Sequence, residues 1–299
     1  MLKEKTKGDP NMLFTETPEK YLAPCAKAGA LHHFTYESEC YTQEHRKVTK
    51  NALVYLPYGY EDEPLRRYPV LYLMHGGGGD YDVFFGGQEG KTPLKTILDN
   101  VIAEGLAQPM IVVTPTFTVP GWPEDQRAVG VAGVLTERFP QEVNNDLLRA
   151  VDAAFRTVPE RHSRAFGGFS MGGETTWRVM AGCLDKIGVY MPLSGDYWAI
   201  AMKGGAEYPE ETADALVSHI SASGVPCGDY RVLAFTGDKD IAFAAMDPMV
   251  KAIGRRAPWF TWGENPGEGN ICYCLKKDGL HTYEACYEYI YLALPHLFK

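Results

Sequence analysis

Two periods of apolar and polar residues run along the chain. Residues 32–39 (HHFTYESE) and 46–57 (RKVTKNALVYLP) alternate with a period of two and are rich in aromatic and β-branched side chains, which predicts an antiparallel pair of strands. Residues 68–75 (YPVLYLMH) are a continuous apolar run, the mark of a strand buried on both faces. From there the period switches back and forth. Residues 92–105 predict a helix with Thr92 as N-cap, Pro93 in its first position and Gly105 past its end. Residues 109–116 (PMIVVTPT) predict a buried strand and 139–155 (FPQEVNNDLLRAVDAAF) a helix. Residues 163–170 predict a short strand, 171–183 a helix, and 187–195 and 230–238 two further strands. Residues 244–256 predict a helix, 258–264 (PWFTWGE) a last strand, and 281–298 a closing helix. Strand and helix alternating at this spacing predict an α/β fold, a mostly parallel central sheet with helices on both faces.

Two stretches fall outside the alternation. Residues 1–28 are polar and weakly periodic and are read as an N-terminal extension to a catalytic domain spanning 29–299. Residues 199–228 carry weak strand signals between two strands and are a candidate lid or insert.

Composition narrows the function. The 299 residues are 45% hydrophobic and 22% charged, with a formal net charge of -9. That balance disfavours a nucleic-acid binder, which needs a basic face. No stretch approaches the ~20 apolar residues of a membrane span. Seven scattered cysteines form no disulfide framework and suggest a reducing compartment, so a cytoplasmic protein is expected. The first residues lack an apolar signal segment.

The most specific chemical signal is Gly168-Phe169-Ser170-Met171-Gly172, a G-x-S-x-G placed where a short strand turns into a helix. Such a turn strains the nucleophile and crowds the residues two before and two after it, so both must be small. Ser170 then sits at a helix N-terminus, where free N–H groups favour developing negative charge. A serine needs a base, and the base an orienting acid. In this architecture the chain order is serine, acid, histidine. His281 and His296 both follow Ser170 and lie nearest the C-terminus, beyond His219. His296 lies beside Pro295 in the closing helix and reads as structural, whereas His281 occupies a loop (DGLHTYE) and is assigned as base. The acid comes from Asp240, with Asp238 and Asp196 as alternatives.

Gly76–Gly79 follow His75 at the end of the apolar strand. A dinucleotide fingerprint, G-x-G-x-x-G, fails at Tyr81 or Asp82, and a phosphate loop ending in Gly90-Lys91-Thr92 fails at Phe85. An oxyanion loop fits instead, because side chains would obstruct its backbone N–H groups. His75 precedes the nucleophile and ends a buried strand, so it is expected to shape this loop. Cys272-x-Cys274 near His281 lacks metal-site spacing and reads as strand packing. His32 and His33 read likewise as surface or strand packing.

With these residues placed, the chain resembles the feruloyl-esterase branch of carbohydrate esterase family 1, in the α/β-hydrolase superfamily. The resemblance covers roughly Lys50 to the C-terminus through YPVLYLMHGGGGDYDVF, LDNVIAEGLAQPMIVVTP, NNDLLRAVDAAF, RAFGGFSMGGETTW, TGDKDIAF and GLHTYE, in the family's order. It implies the α/β-hydrolase fold and a serine carboxylesterase hydrolysing feruloyl (hydroxycinnamoyl) esters of plant cell-wall polysaccharide fragments. Ser170 would be nucleophile, His281 base and Asp240 acid, with oxyanion donors at the N–H groups of Gly77 and Met171. Tyr283 stands where the family more often has Trp. Trp122, Tyr197 and Trp198 are candidates for stacking on a phenolic acyl group or sugar. The expected partner is a small ester or feruloylated oligosaccharide, with no metal or organic cofactor, no nucleic acid and no membrane. Oligomeric state is left open, a homodimer being one option. The same triad serves acetyl-xylan esterases, siderophore-ester hydrolases, S-formylglutathione hydrolases and acyltransferases, and the scaffold also serves as a non-catalytic binding module.

Overall fold

The computed structural model describes residues 9–41, 45–263 and 268–298. Among the described residues eight strands form one sheet: β1 (Ala30–Glu39), β2 (Lys47–Leu56), β3 (Val70–Met74), β4 (Ile111–Thr114), β5 (Arg164–Phe169), β6 (Val189–Leu193), β7 (Arg231–Gly237) and β8 (Ile271–Lys276). Their spatial order is β1-β2-β4-β3-β5-β6-β7-β8. β1 and β2 pair antiparallel, β2 meets β4 antiparallel, and every later pairing is parallel. The described residues also form seven α-helices: α1 (Pro93–Ala103), α2 (Val129–Glu142), α3 (Leu148–Ala154), α4 (Met171–Cys183), α5 (Pro209–Ala222), α6 (Phe243–Gly254) and α7 (Tyr283–Leu297). Among the described residues no helix is long and apolar enough to cross a membrane.

The continuous apolar strands have the meaning expected of them. In β3, Val70, Tyr72 and Met74 point to one face of the sheet and Leu71 and Leu73 to the other, and all five are fully buried. The first face is covered by α2 to α6, through residues such as Leu135, Val151, Trp177, Leu216 and Met249. The second is covered by α1 and α7, through Leu94, Ile97, Ile290 and Ala293. Side chains alternate across a strand, so a strand sandwiched between two helical layers has no position left for water.

Four departures from the sequence pattern have physical causes. The helix expected over 139–155 begins ten residues earlier, at Val129. Its first turns hold Gly130 and Gly133, poor helix formers that mask the period. Pro140 then breaks the ladder, and a π turn over Val143–Leu147 separates α2 from α3. The strand expected at 258–264 is reduced to a single bridge, Trp262 to Ile271, with residue 264 outside the described residues. The last true strand is β8, whose Cys272 and Cys274 are buried side by side under α7. The stretch 199–228, read as a candidate lid, contains α5 as a crossover helix with Ala213, Leu216 and Ile220 fully buried. Thr92 stands at the start of α1, yet its hydroxyl donates to Phe84 O instead of capping the helix.

The extension is tied down where it is described; residues 1–8 lie outside that range. Asn11 lies along the outer edge of β8. Its side-chain oxygen accepts Tyr273 N–H at 2.7 Å, its own N–H donates to Tyr273 O at 3.0 Å, and its amide nitrogen reaches Gly263 O at 2.6 Å. Tyr21 is buried against Tyr291 of α7.

Candidate active site

β5 delivers Ser170 to the C-terminal edge of the sheet and α4 begins on the next residue. Ser170 has φ 58° and ψ -115°, a conformation costly for any residue with a side chain. The turn is possible only because its flanks carry no Cβ. One on Gly172 would lie 2.1 Å from Met74 O, and one on Gly168 would lie 2.6 Å from the Gly172 carbonyl. The same two glycines that spell the motif therefore let β3, β5 and α4 come together under the serine.

His281 reaches Ser170 from the loop after β8. Its Nε2 lies 2.8 Å from Ser170 Oγ and its Nδ1 lies 2.7 Å from Asp240 Oδ1. Asp240 follows β7 and its side chain is fully buried. The same Oδ1 also accepts Ala242 N–H at 2.7 Å, which fixes the carboxylate. An imidazole held this way carries its proton on Nδ1 and offers Nε2 as acceptor for the serine hydroxyl. Phe169 lies against the His281 ring with centroids 4.6 Å apart, limiting its rotation. Neither of the other two acids hydrogen-bonds His281. Asp238 N–H donates to Lys276 O while its carboxyl Oδ1 has no partner among the described residues, and Asp196 accepts Trp198 Nε1–H and Gly205 N–H. His296 sits in the last turn of α7, where its carbonyl accepts from Arg231.

The glycine loop closes the site from the β3 side. Tyr283 Oη accepts Gly76 N–H at 3.0 Å, and Gly79 N–H donates back to Gly76 O. Gly77 N–H has no acceptor among the described residues, nor does Met171 N–H, the first donor of α4. Gly77, Met171, Ser170 and His281 all line one cavity. His75 is not in it. Its Nδ1 donates to Gly76 O at 2.8 Å, and its Nε2 lies 2.7 Å from the Thr116 hydroxyl. Burial holds its pKa down at about 4, so the ring is a neutral strut at neutral pH.

A family model described as a putative esterase matches residues 45–177. A curated relative, endo-1,4-beta-xylanase Y of Acetivibrio thermocellus, is 35% identical over 95% of this chain. A second, the endo-1,4-beta-xylanase/feruloyl esterase of Xylanibacter ruminicola, is 32% identical over 67% of it. This chain spans about a quarter of the length of each (24% and 25%). Among solved structures, a serine-to-alanine mutant of the feruloyl esterase module from Clostridium thermocellum, complexed with sinapinate, superposes with a TM-score of 0.81. It is 34% identical over 98% of this chain and 96% of its own. The chain belongs to the feruloyl esterases of the α/β-hydrolase fold.

The cavity over Ser170 is about 300 Å³, at the small end for a ligand site. Of the three aromatic side chains expected near it, the structure brings only Trp198 to the wall. Its indole packs beside Gly133 of α2, where a Cβ would stand 3.6 Å from the ring. Tyr197 turns into the core, with its N–H on Met249 Sδ, because alternate residues of the loop after β6 face opposite ways. Trp122 packs against the core on the α2 side and does not line the cavity. Sequence reading missed several lining residues: Arg127, Val129, Glu174, Ser194, Lys203 and Ile241. Glu174 had a legible signal, since four residues past a nucleophile on a helix is the same face. Arg127 and Ser194 had none, because loop residues carry no period.

Proposed function

We propose that this protein is a serine carboxylesterase that hydrolyses feruloyl and related hydroxycinnamoyl esters of plant cell-wall polysaccharide, with Ser170 as nucleophile, His281 as base and Asp240 as acid. The hydrogen-bonded run from Ser170 Oγ through His281 to Asp240 carries the reading. The similarity to a feruloyl esterase module complexed with sinapinate supports the substrate class.

The chemistry follows from the geometry. His281 Nε2 takes the Ser170 hydroxyl proton as Oγ bonds to the ester carbonyl carbon. The resulting oxyanion accepts N–H bonds from Gly77 and Met171. Asp240 stabilises the imidazolium that forms on the far side of the ring. The carbonyl re-forms, the C–O bond to the sugar breaks, and His281 returns its proton to the leaving alcohol. Water then attacks the acyl-enzyme by the same route, His281 taking its proton and giving it back to Ser170, and the free acid leaves.

Hydrolysis of methyl ferulate by wild type and by Ser170→Ala tests this. Loss of the nucleophile is expected to lower kcat by about 10⁴–10⁶-fold. Equal activity in both proteins overturns the site. A panel of acetyl and thioester substrates checks the acyl class, and turnover of those alone overturns the hydroxycinnamoyl assignment.

A further inference from the structure

β7 and β8 end in register, with Gly237 opposite Lys276. The loop that carries Asp240 and the loop that carries His281 therefore leave the sheet side by side. They are also bonded to each other through the main chain. Asp238 N–H donates to Lys276 O and Lys239 N–H donates to Gly279 O, both at 3.1 Å. Within each loop a turn closes, Asp240 N–H on Gly237 O and Gly279 N–H on Lys276 O. At the surface Lys239 Nζ pairs with Asp278 Oδ1 at 2.5 Å.

Two glycines lie where the loops touch. A Cβ on Gly237 would stand 2.6 Å from Gly279 Cα, and one on Gly279 would stand 2.8 Å from Gly237 Cα. Neither glycine has a positive φ, so close contact excludes a side chain here and backbone conformation does not. The atoms met are main chain, which cannot swing aside, so replacing either glycine must move one loop against the other. Asp278, just before Gly279, has φ 56°, a conformation that Asp and Asn tolerate and a β-branched residue does not. The far side of His281 is held as well. Thr282 N–H donates to Leu280 O at 3.0 Å, and the Thr282 hydroxyl caps α7 by accepting Ala285 N–H. The backbone of His281 thus runs between a clasp and a helix cap, while its ring meets Asp240 through one hydrogen bond.

We propose that Gly237 and Gly279 are positioning residues for the proton relay: their contact seats the base loop on the acid loop and so keeps His281 within reach of both Asp240 Oδ1 and Ser170 Oγ. The inference rests on the esterase reading above. Neither glycine touches the reacting atoms. A Cβ at either one pushes the loops apart, and His281, two residues beyond Gly279, is carried with its loop. A misplacement of about 1 Å in a catalytic group costs about 10²-fold in rate.

The test reads methyl ferulate hydrolysis and the downfield proton NMR spectrum near neutrality, with His281→Ala marking the His281 Nδ1–H signal. Gly279→Ala and Gly237→Ala should lower kcat about 100-fold, keep KM within about twofold and lose that signal. Asp278→Val should cost about tenfold in kcat, and Asp278→Asn should recover most of it. Gly188 lies at the opposite end of the sheet, where a Cβ would stand 3.0 Å from Arg161 O. Gly188→Ala should melt below wild type yet keep both kcat and the signal. Full kcat in Gly279→Ala, or a lowered kcat with the signal intact, overturns the proposal. Asp278 is exposed, so Asp278→Val carries the test if the glycine variants fail to fold, and equal kcat in Asp278→Val and Asp278→Asn then overturns it. A wild type that hydrolyses no ester, or whose downfield spectrum His281→Ala leaves unchanged, overturns the triad reading and this inference with it. An active wild type beside unaffected glycine variants overturns this inference alone.

Discussion

Two loops meet beside Ser170, and each brings a histidine from the end of a strand. His75 ends β3 and begins the glycine loop. It is 1% exposed, both ring nitrogens are engaged, and burial keeps it neutral. His281 comes after β8, with its side chain 18% exposed and its two nitrogens strung between a hydroxyl and a carboxylate. The same imidazole thus does opposite work in the two places. A buried ring whose partners are a carbonyl and a threonine has no carboxylate to stabilise an imidazolium, so it braces backbone. A ring against a buried carboxylate can accept a proton and return it. What makes a histidine a base here is the partner on its far nitrogen more than its distance from the serine.

The contrast can be broken most forcefully at His281. His281→Ala should lower kcat on methyl ferulate by about 10⁴–10⁶-fold with little change in KM. Asp240→Asn should cost about 10³–10⁴-fold, by presenting the wrong tautomer while leaving the fold intact. His75→Asn should cost less than about tenfold in kcat, because the amide can keep a donor to Gly76 O and only the contact with the Thr116 hydroxyl is lost. A dead His75→Asn beside an active His281→Ala would reverse the assignment. Tyr283→Phe should have the smallest kinetic effect, about two- to fivefold, since it releases Gly76 N–H and loosens the loop without touching the reacting atoms.

His75 should also show itself in acid. The folded-state pKa of His75 is depressed to about 4 from an ordinary 6.5. As pH falls below 6.5 the unfolded chain takes up this proton first, so stability is lost progressively until about pH 4. Thermal melts from pH 7 to 4 should show His75→Asn with a shallower decline than wild type. Equal slopes would mean that His75 is charged in the fold. Glu174 should act with the opposite sense. Its folded pKa lies above its unfolded one, so the stability difference favouring Glu174→Gln should grow as pH climbs from 4.5 to about 7 and level off above that.

The elbow was legible in sequence because its physics is local: a serine between two glycines at a strand-to-helix switch admits few conformations. The place of His281 followed from chain order. Sequence favoured Asp240 over Asp238, which directly follows Gly237 and suits a turn, while the fold shows Asp240 against His281 Nδ1. Trp198 and Tyr197 were not separated, as one residue of register decides which ring enters the cavity and which the core. Glu174 could have been placed near the site, since four residues past Ser170 is the same face of α4, but the spacing does not say that its carboxyl lines the cavity. The early start of α2 was hidden by Gly130 and Gly133, and a Cβ at Gly133 would only touch the indole of Trp198 at an ordinary contact distance.

Asn11 gives the sheet a property that catalysis does not reveal. β8 is the last strand, and its outer row of N–H and C=O groups would template pairing with another chain. A single asparagine, using backbone and side chain together, occupies that row at Tyr273 and Ile271, and the bridge at Trp262 occupies its beginning. Seen this way the polar N-terminal stretch is a guard against self-association. Protein trimmed past Met12 should aggregate on heating before its active site is lost.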